Sequence, residues 1–203
     1  MTTPTAAVTR AGDATRQRLL RAAVELFTSV GFRGTTTPAI AAKAGVAEGT
    51  IYRHFGGKEH LLNEAYRSAQ RWACTVLKEL EESDCALKAR ERLARVAARL
   101  LEAAERDPAV LRMLFYPRDD QHLDERSREA AREFRDALQQ IVASGKSDGM
   151  VRSGPAELWA SVWLAVVSFA AERVTAREWT PDNPQAALAL EAAWDAIRAS
   201  PGA

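Results

Sequence analysis

Apolar residues recur along this chain at intervals of three and four. Leu93, Val96, Ala97, Leu100 and Ala104 form one stripe with Arg and Glu on the opposite side, and Phe134, Leu138, Ile141 and Val142 form another. Leu190, Ala193, Trp194 and Ile197 form a third. Lys58 to Glu82 reads as one long helix ending in the acidic residues Glu81, Glu82 and Asp84, and PAVLRMLFY as a short one begun after Asp107 and stopped by Pro117. A further helix over Phe134 to Val142 closes at Gly145 or Gly149. Strand-like alternation and internal repeats are absent from the sequence, so the expected class is all-α. Leu158 to Ala171, LWASVWLAVVSFAA, carries no charge over fourteen residues. That run is too short to cross a bilayer, and with both Trp159 and Trp163 in it the helix is expected to be buried on every side.

The pattern is tightest between Thr36 and Lys58. Thr36 can accept from free amides at a helix start, and Pro38 fits the first turn, where its missing N–H is not needed. The helix begun near Thr37 carries Ile40, Ala41 and Ala44 at helical spacing and ends at Gly45, a residue that readily takes the left-handed conformation. Beyond that turn Ala47, Ile51 and Phe55 make an inner stripe and leave Glu48, Gly49, Tyr52 and Arg53 outward. Gly56 and Gly57 close this second helix. Two short helices set at an angle by a glycine turn are the layout of a helix-turn-helix DNA reader.

The outward residues suit duplex DNA. Arg53 can pair with guanine O6 and N7 or with phosphate, and Tyr52 and His54 can reach backbone oxygens. Thr50 offers a hydroxyl and a methyl, while Gly49 keeps the helix start thin. Thr36 and Thr37 stand at a helix start that attracts phosphate, and Lys58 adds charge at the next one. Glu48 points the other way, because phosphate repels a carboxylate unless it accepts from a cytosine amino group.

From about Thr15 to Leu62 the chain resembles the TetR family of bacterial transcriptional regulators, through RLLRAAVELF, GFRGTTT and IAAKAGVAEGTIYRHFGGKEHLL. The resemblance covers about a quarter of the chain. It implies an all-helical homodimer of about nine helices per subunit, whose carboxy-terminal part binds a small effector that releases DNA. Thr36, Thr37, Gly49, Thr50, Tyr52, Arg53, His54 and Lys58 fall where the family contacts DNA. Ala47 departs from the pattern, standing where many members place a capping Ser or Thr, and Pro38 stands where some carry a contacting side chain.

Composition narrows the field. With 203 residues and 47% apolar content the chain can bury a substantial core. Residues 1 to 60 hold eight Lys/Arg against four Asp/Glu, whereas residues 61 to 203 hold twenty against twenty-three, so the basic end is the end with the reader. Cys74 and Cys85 fit neither a disulfide framework nor a metal pattern, which suits a reducing cytoplasm. The start TTPTAAVTRAGD reads as a frayed arm carrying Arg10 rather than a secretory signal, and no membrane partner is expected. Catalytic motifs fail one by one: His54, His60 and His122 are scattered, no GxSxG occurs, and Gly56-Gly57-Lys58 is followed by Glu59 where a phosphate loop needs Ser or Thr. Asp119 with Asp120 is an acidic pair of the kind that faces water. No catalytic, cofactor or metal residue is assigned, and the chain is not expected to be an enzyme.

The expected organisation is a three-helix reader over residues 12–60 and a helical effector-binding and dimerisation region over 61–200. Trp159, Val162, Trp163, Val166, Leu190, Trp194 and Ile197 could form a four-helix interface with a second copy. Trp72, Met113, Phe115, Tyr116, Phe134 and Trp163 are the candidates to line an effector site. Two readings stand. One is a ligand-responsive regulator, a repressor, that binds a palindromic operator as a homodimer and is released by a small hydrophobic effector. The other is a helical protein that keeps the reader fold but acts through protein partners or as a small enzyme.

Overall fold

The three-and-four spacing produces helices throughout. A computed structural model describes residues 4–83, 87–117 and 121–200, with side chains from residue 12 onward except at 82 and 83. Arg10's side chain, Asp84, Cys85, Asp119 and Asp120 lie outside the described residues. Among those described there are ten helices: α1 Pro4–Ser29, α2 Gly31–Gly34, α3 Thr37–Ala44, α4 Gly49–His54, α5 Lys58–Ser83, α6 Ala89–Arg106, α7 Pro108–Leu114, α8 Glu125–Ser147, α9 Ala156–Thr175 and α10 Pro184–Asp195. The one extended pairing among them is an isolated bridge between Val151 and Arg198. The amino-terminal segment read as a frayed arm is helical from Pro4, the start of α1.

The chain divides into two compact units, Met1–Ser68 with Tyr116–Arg128, and Ala69–Phe115 with Glu129–Ala203. The division falls within α5, later than residue 60, and gives the first unit a segment that sequence placed in the second region.

In the first unit α1 packs on α3, and Leu19, Ala23, Phe27, Ile40, Ile51, Phe55, Leu61 and Leu62 are buried. A polar clasp sits among them. The Asn63 amide donates to the Glu59 and His122 carbonyls, both at 2.8 Å, and its oxygen accepts from the Asp124 N–H and the Ser127 hydroxyl, both at 2.7 Å. Asn63 and Ser127 are buried, yet every polar atom of the Asn63 side chain is satisfied, as burial requires. Asp124 also caps α8 by accepting from the Ser127 N–H at 2.8 Å.

In the second unit the expected stripes on α6 and α8 are all buried. Helix α8 runs through Gly145 to Ser147, because this glycine serves packing: a Cβ there would lie 2.7 Å from that of Ala89. Helix α9 departs from expectation. The uncharged run sits in a helix of 20 residues, long and apolar enough by length and composition to cross a membrane. It is not buried on every side within the chain. Ala160, Trp163, Val167, Ala170 and Val174 pack inward, while Leu158 and Phe169 are 48% and 49% exposed in line with exposed Ser161 and Ala165. An uncharged run is compatible with a one-sided core, because composition alone does not say which side has a neighbour.

Candidate nucleic-acid interface

Local chemistry sets the two reader helices. Thr36 is extended and its hydroxyl accepts from the Ala39 N–H, so α3 starts at Thr37 with Pro38 in its first turn. Gly45 has φ 65°, and the N–H groups of Gly45 and Val46 close back on Ala42 and Ala41 to end α3. Helix α4 then starts in a tight turn, Thr50 N–H to the Ala47 carbonyl and Ile51 N–H to that of Glu48, both 2.9 Å. Ala47, expected inside, is exposed: it precedes the helix and is off its stripe.

Ile51 and Phe55 anchor α4 from behind. Both are almost fully buried, with the Arg16 guanidinium 5.1 Å from the Phe55 ring centroid and His60 edge-on at 5.8 Å. Arg16 also pairs with Glu64 on α5, and the His60 Nδ1 accepts the Gly56 N–H at 2.9 Å. The opposite face is open. Tyr52 is 59% exposed, Arg53 and Gly49 are exposed, and Thr50 and His54 are half-buried. Nothing lies within 4 Å of the place a Gly49 Cβ would take, so this glycine leaves the helix start bare. Thr36 is exposed and Thr37 half-buried at the adjoining end of α3.

Lys58 is the exception among the candidates. Its ammonium donates to the Phe32 carbonyl at 2.9 Å and the Thr35 carbonyl at 3.0 Å, and lies 4.1 Å from the Phe32 ring centroid. A cation is favoured at the C-terminal carbonyls of a helix, here α2, so its charge is turned inward rather than to the surface. Sequence reasoning also missed that Glu48 accepts the Thr37 hydroxyl at 3.0 Å, with the Tyr52 hydroxyl 3.4 Å from the same threonine oxygen.

Charge behind the interface is internally matched. Arg67 donates to Glu64 at 2.5 Å and to Asp124 at 2.9 Å. Burial alone would raise the Glu64 and Asp124 carboxyls, but hydrogen bonds and attraction outweigh it and hold both below their ordinary range. The donors are Arg67 and Arg16 for Glu64, and Ser127 and Arg67 for Asp124.

The residues expected to line an effector site are divided between the units. Tyr116 falls in the first and is half-buried; Trp72, Met113, Phe115, Phe134 and Trp163 fall in the second, with Met113, Phe134 and Trp163 buried. Of the residues expected at a subunit interface, Trp163 and Ile197 are 2% and 0% exposed and belong to the core of their unit. Trp159, Val162, Val166, Leu190 and Trp194 are half-buried. The Trp159 indole N–H is tied to the Ser153 carbonyl at 3.0 Å.

The same architecture recurs in known proteins. Residues 19–65 match the family model described as bacterial regulatory proteins, tetR family, and residues 73–199 match that of the tetracyclin repressor-like C-terminal domain. The chain belongs to the TetR family. It is accordingly a DNA-binding transcriptional regulator of the helix-turn-helix kind. The transcriptional repressor KstR2 of Rhodococcus jostii is 30% identical over 158 residues, covering 75% of this chain and 76% of that protein. The regulator SrpR of Pseudomonas putida is 43% identical over 58 residues, 29% of this chain and 27% of SrpR. Among solved structures, FadR of Bacillus subtilis in complex with stearoyl-CoA aligns with a TM-score of 0.66 at 21% identity, over 89% of this chain and 98% of FadR, a likeness of fold.

Proposed function

We propose that this TetR-family member is a cytoplasmic repressor that binds a palindromic operator as a homodimer and leaves it when a small hydrophobic effector binds. The observation that carries the reading is α4, whose Ile51 and Phe55 are locked inside while Tyr52 and Arg53 are exposed on the other face. Such a helix is held firmly enough to enter a major groove, and Thr36, Thr37, Gly49, Thr50 and His54 frame the same face. Lys58 is left out of the contact set because its ammonium is used within the unit.

The α9 stripe of Leu158, Ser161, Ala165 and Phe169, with Leu188 of α10 at 64% exposure, is the surface offered to a second copy. Val162, Val166, Leu190 and Trp194 flank it, and the small side chains of Ser161 and Ala165 at its centre allow two helices to approach closely. Two readers related by a two-fold axis would address half-sites about 34 Å apart or a multiple of it. The reader over residues 12–60 and the effector and dimer region over 61–200 share α5, so an effector that tilts α5 changes reader spacing. A coupling of about 1 to 3 kcal/mol suffices for a several-fold change in occupancy. Trp72, Met113, Phe115, Phe134 and Trp163 are the proposed effector-side residues, apolar enough for a hydrophobic ligand. FadR, of the same fold and bound to stearoyl-CoA, supports that reading.

Selection of bound duplexes from a random pool, followed by release with hydrophobic compounds, tests the reading. A recovered inverted repeat, freed by at least one compound, supports it; equal affinity for random and selected duplex contradicts it.

A further inference from the structure

Gln70 is an amide buried on an apolar side of α5. It belongs to the second unit with only 2% of its surface exposed, and Ala73 and Leu77, one and two turns further along the same side of the helix, are buried too. The buried polar residues of that unit, among those described, are Gln70 and Thr175. Thr175 is satisfied locally, its hydroxyl donating to the Glu172 carbonyl at 2.9 Å. Gln70 is satisfied only in part. Its amide nitrogen donates to the Leu114 carbonyl at 3.1 Å, and its side chain forms no other hydrogen bond among the described residues. A carbonyl oxygen only accepts, so the NH2 group must face Leu114 and the amide oxygen is turned elsewhere. An acceptor without a donor in apolar surroundings is costly, and a donor brought by a ligand recovers that cost.

The position suits an effector. Leu114 closes α7, and Met113 and Phe115 on either side of it are two of the residues proposed on the effector side. We propose that Gln70 is the polar anchor of the effector site, and that it selects an effector whose buried part is apolar and uncharged and carries an alcohol or phenol hydroxyl that donates to the Gln70 oxygen. Ketones, ethers and esters have no proton to give, so they leave that oxygen unmatched. None of the buried residues described carries a charge, so an ammonium, which could also donate, would go unpaired there, as would a carboxylate. Because Gln70 belongs to α5, an effector held by it acts directly on the helix that begins in the reader unit. The assignment rests on the effector-release reading above and adds the ligand chemistry that the site selects.

The experiment compares decanol with its methyl ether, and para-octylphenol with para-octylanisole, on the wild type, Gln70→Met and Gln70→Glu. Release from the selected operator is followed by fluorescence anisotropy, and the rise in unfolding midpoint gives a second reading that needs no DNA. In the wild type each hydroxyl compound should act at about tenfold lower concentration than its ether, a comparison that needs no variant. Gln70→Met keeps the volume and removes the amide, so the two members of a pair should become equivalent. A buried Glu is held protonated and can donate to Leu114 while its other oxygen accepts, so Gln70→Glu should keep the preference. Equal action of the paired compounds on the wild type, a preference that survives in Gln70→Met, or one lost in Gln70→Glu overturns the subsite while leaving the effector reading intact. Release by other hydrophobic compounds but by neither the alcohol nor the phenol does the same. If no hydrophobic compound releases the wild type, both fall.

Discussion

The Lys58 ammonium is bound to the Phe32 carbonyl at 2.9 Å while standing over the ring of the same phenylalanine. By family position Lys58 would touch DNA, but here it closes the C-terminal end of α2. Lys58→Met should therefore lower unfolding free energy by about 1 to 3 kcal/mol, the worth of hydrogen bonds from a charged group. It should leave the slope of log affinity against log salt unchanged. A stable variant whose slope falls by about 1 would return Lys58 to the phosphate contacts.

Asn63 gathers four hydrogen bonds from two stretches of chain about sixty residues apart. Asn63→Ala strands the Asp124 N–H and takes the 2.7 Å acceptor from the buried Ser127 hydroxyl, which keeps the Arg67 donor at 3.0 Å, and is expected to cost about 1 to 3 kcal/mol in denaturant unfolding. Ser127→Ala removes one of those partners and should cost less. If Asn63→Ala unfolds with the wild-type midpoint and slope, the clasp contributes nothing.

Acid stability follows from the Arg67 pair. Glu64 and Asp124 have folded-state pKa values below their unfolded ones, so each contributes stability that is fully present above the unfolded value, about 4, and is lost as pH falls through the folded value. Arg67→Met removes the main shared donor and should flatten the fall in stability on the acid side of pH 4. An acid limb as steep in Arg67→Met as in the wild type would contradict that cause.

The open side of α9 makes its own forecast. Ala165→Glu and Phe169→Glu put charge into the exposed stripe and should convert the protein to a folded monomer in sedimentation equilibrium, with operator affinity sharply reduced. Trp163→Ala, by contrast, opens a cavity in the unit core and should cost about 3 to 5 kcal/mol of stability. Wild-type mass equal to one chain would remove the proposed interface.

Much of this is legible in the sequence wherever the signal is local. Thr36, Pro38 and Gly45 mark the ends of α3 by their own backbone and side-chain chemistry, and the stripes on α6 and α8 follow from spacing. Spacing also places Ile51 and Phe55 inside, but it misplaces Ala47, because α4 begins two residues beyond it. Partners distant in sequence leave no trace: neither the inward turn of Lys58 onto Phe32 nor the Asn63–Ser127 bond has a short-range signature. The departure at α9 is of another kind. Trp163 and Phe169 are both large and apolar, and only the packed chain separates the one in the core from the one at the surface.

Fluorescence anisotropy of wild type and Arg53→Ala on the selected operator and on a scrambled duplex tests the central claim most directly. Arg53→Ala is expected to lose about 1 to 3 kcal/mol on the operator if Arg53 pairs with a base, and much less on scrambled DNA, with the fold intact by circular dichroism. Equal operator affinity for the two proteins would contradict it and take the exposed face of α4 out of the groove.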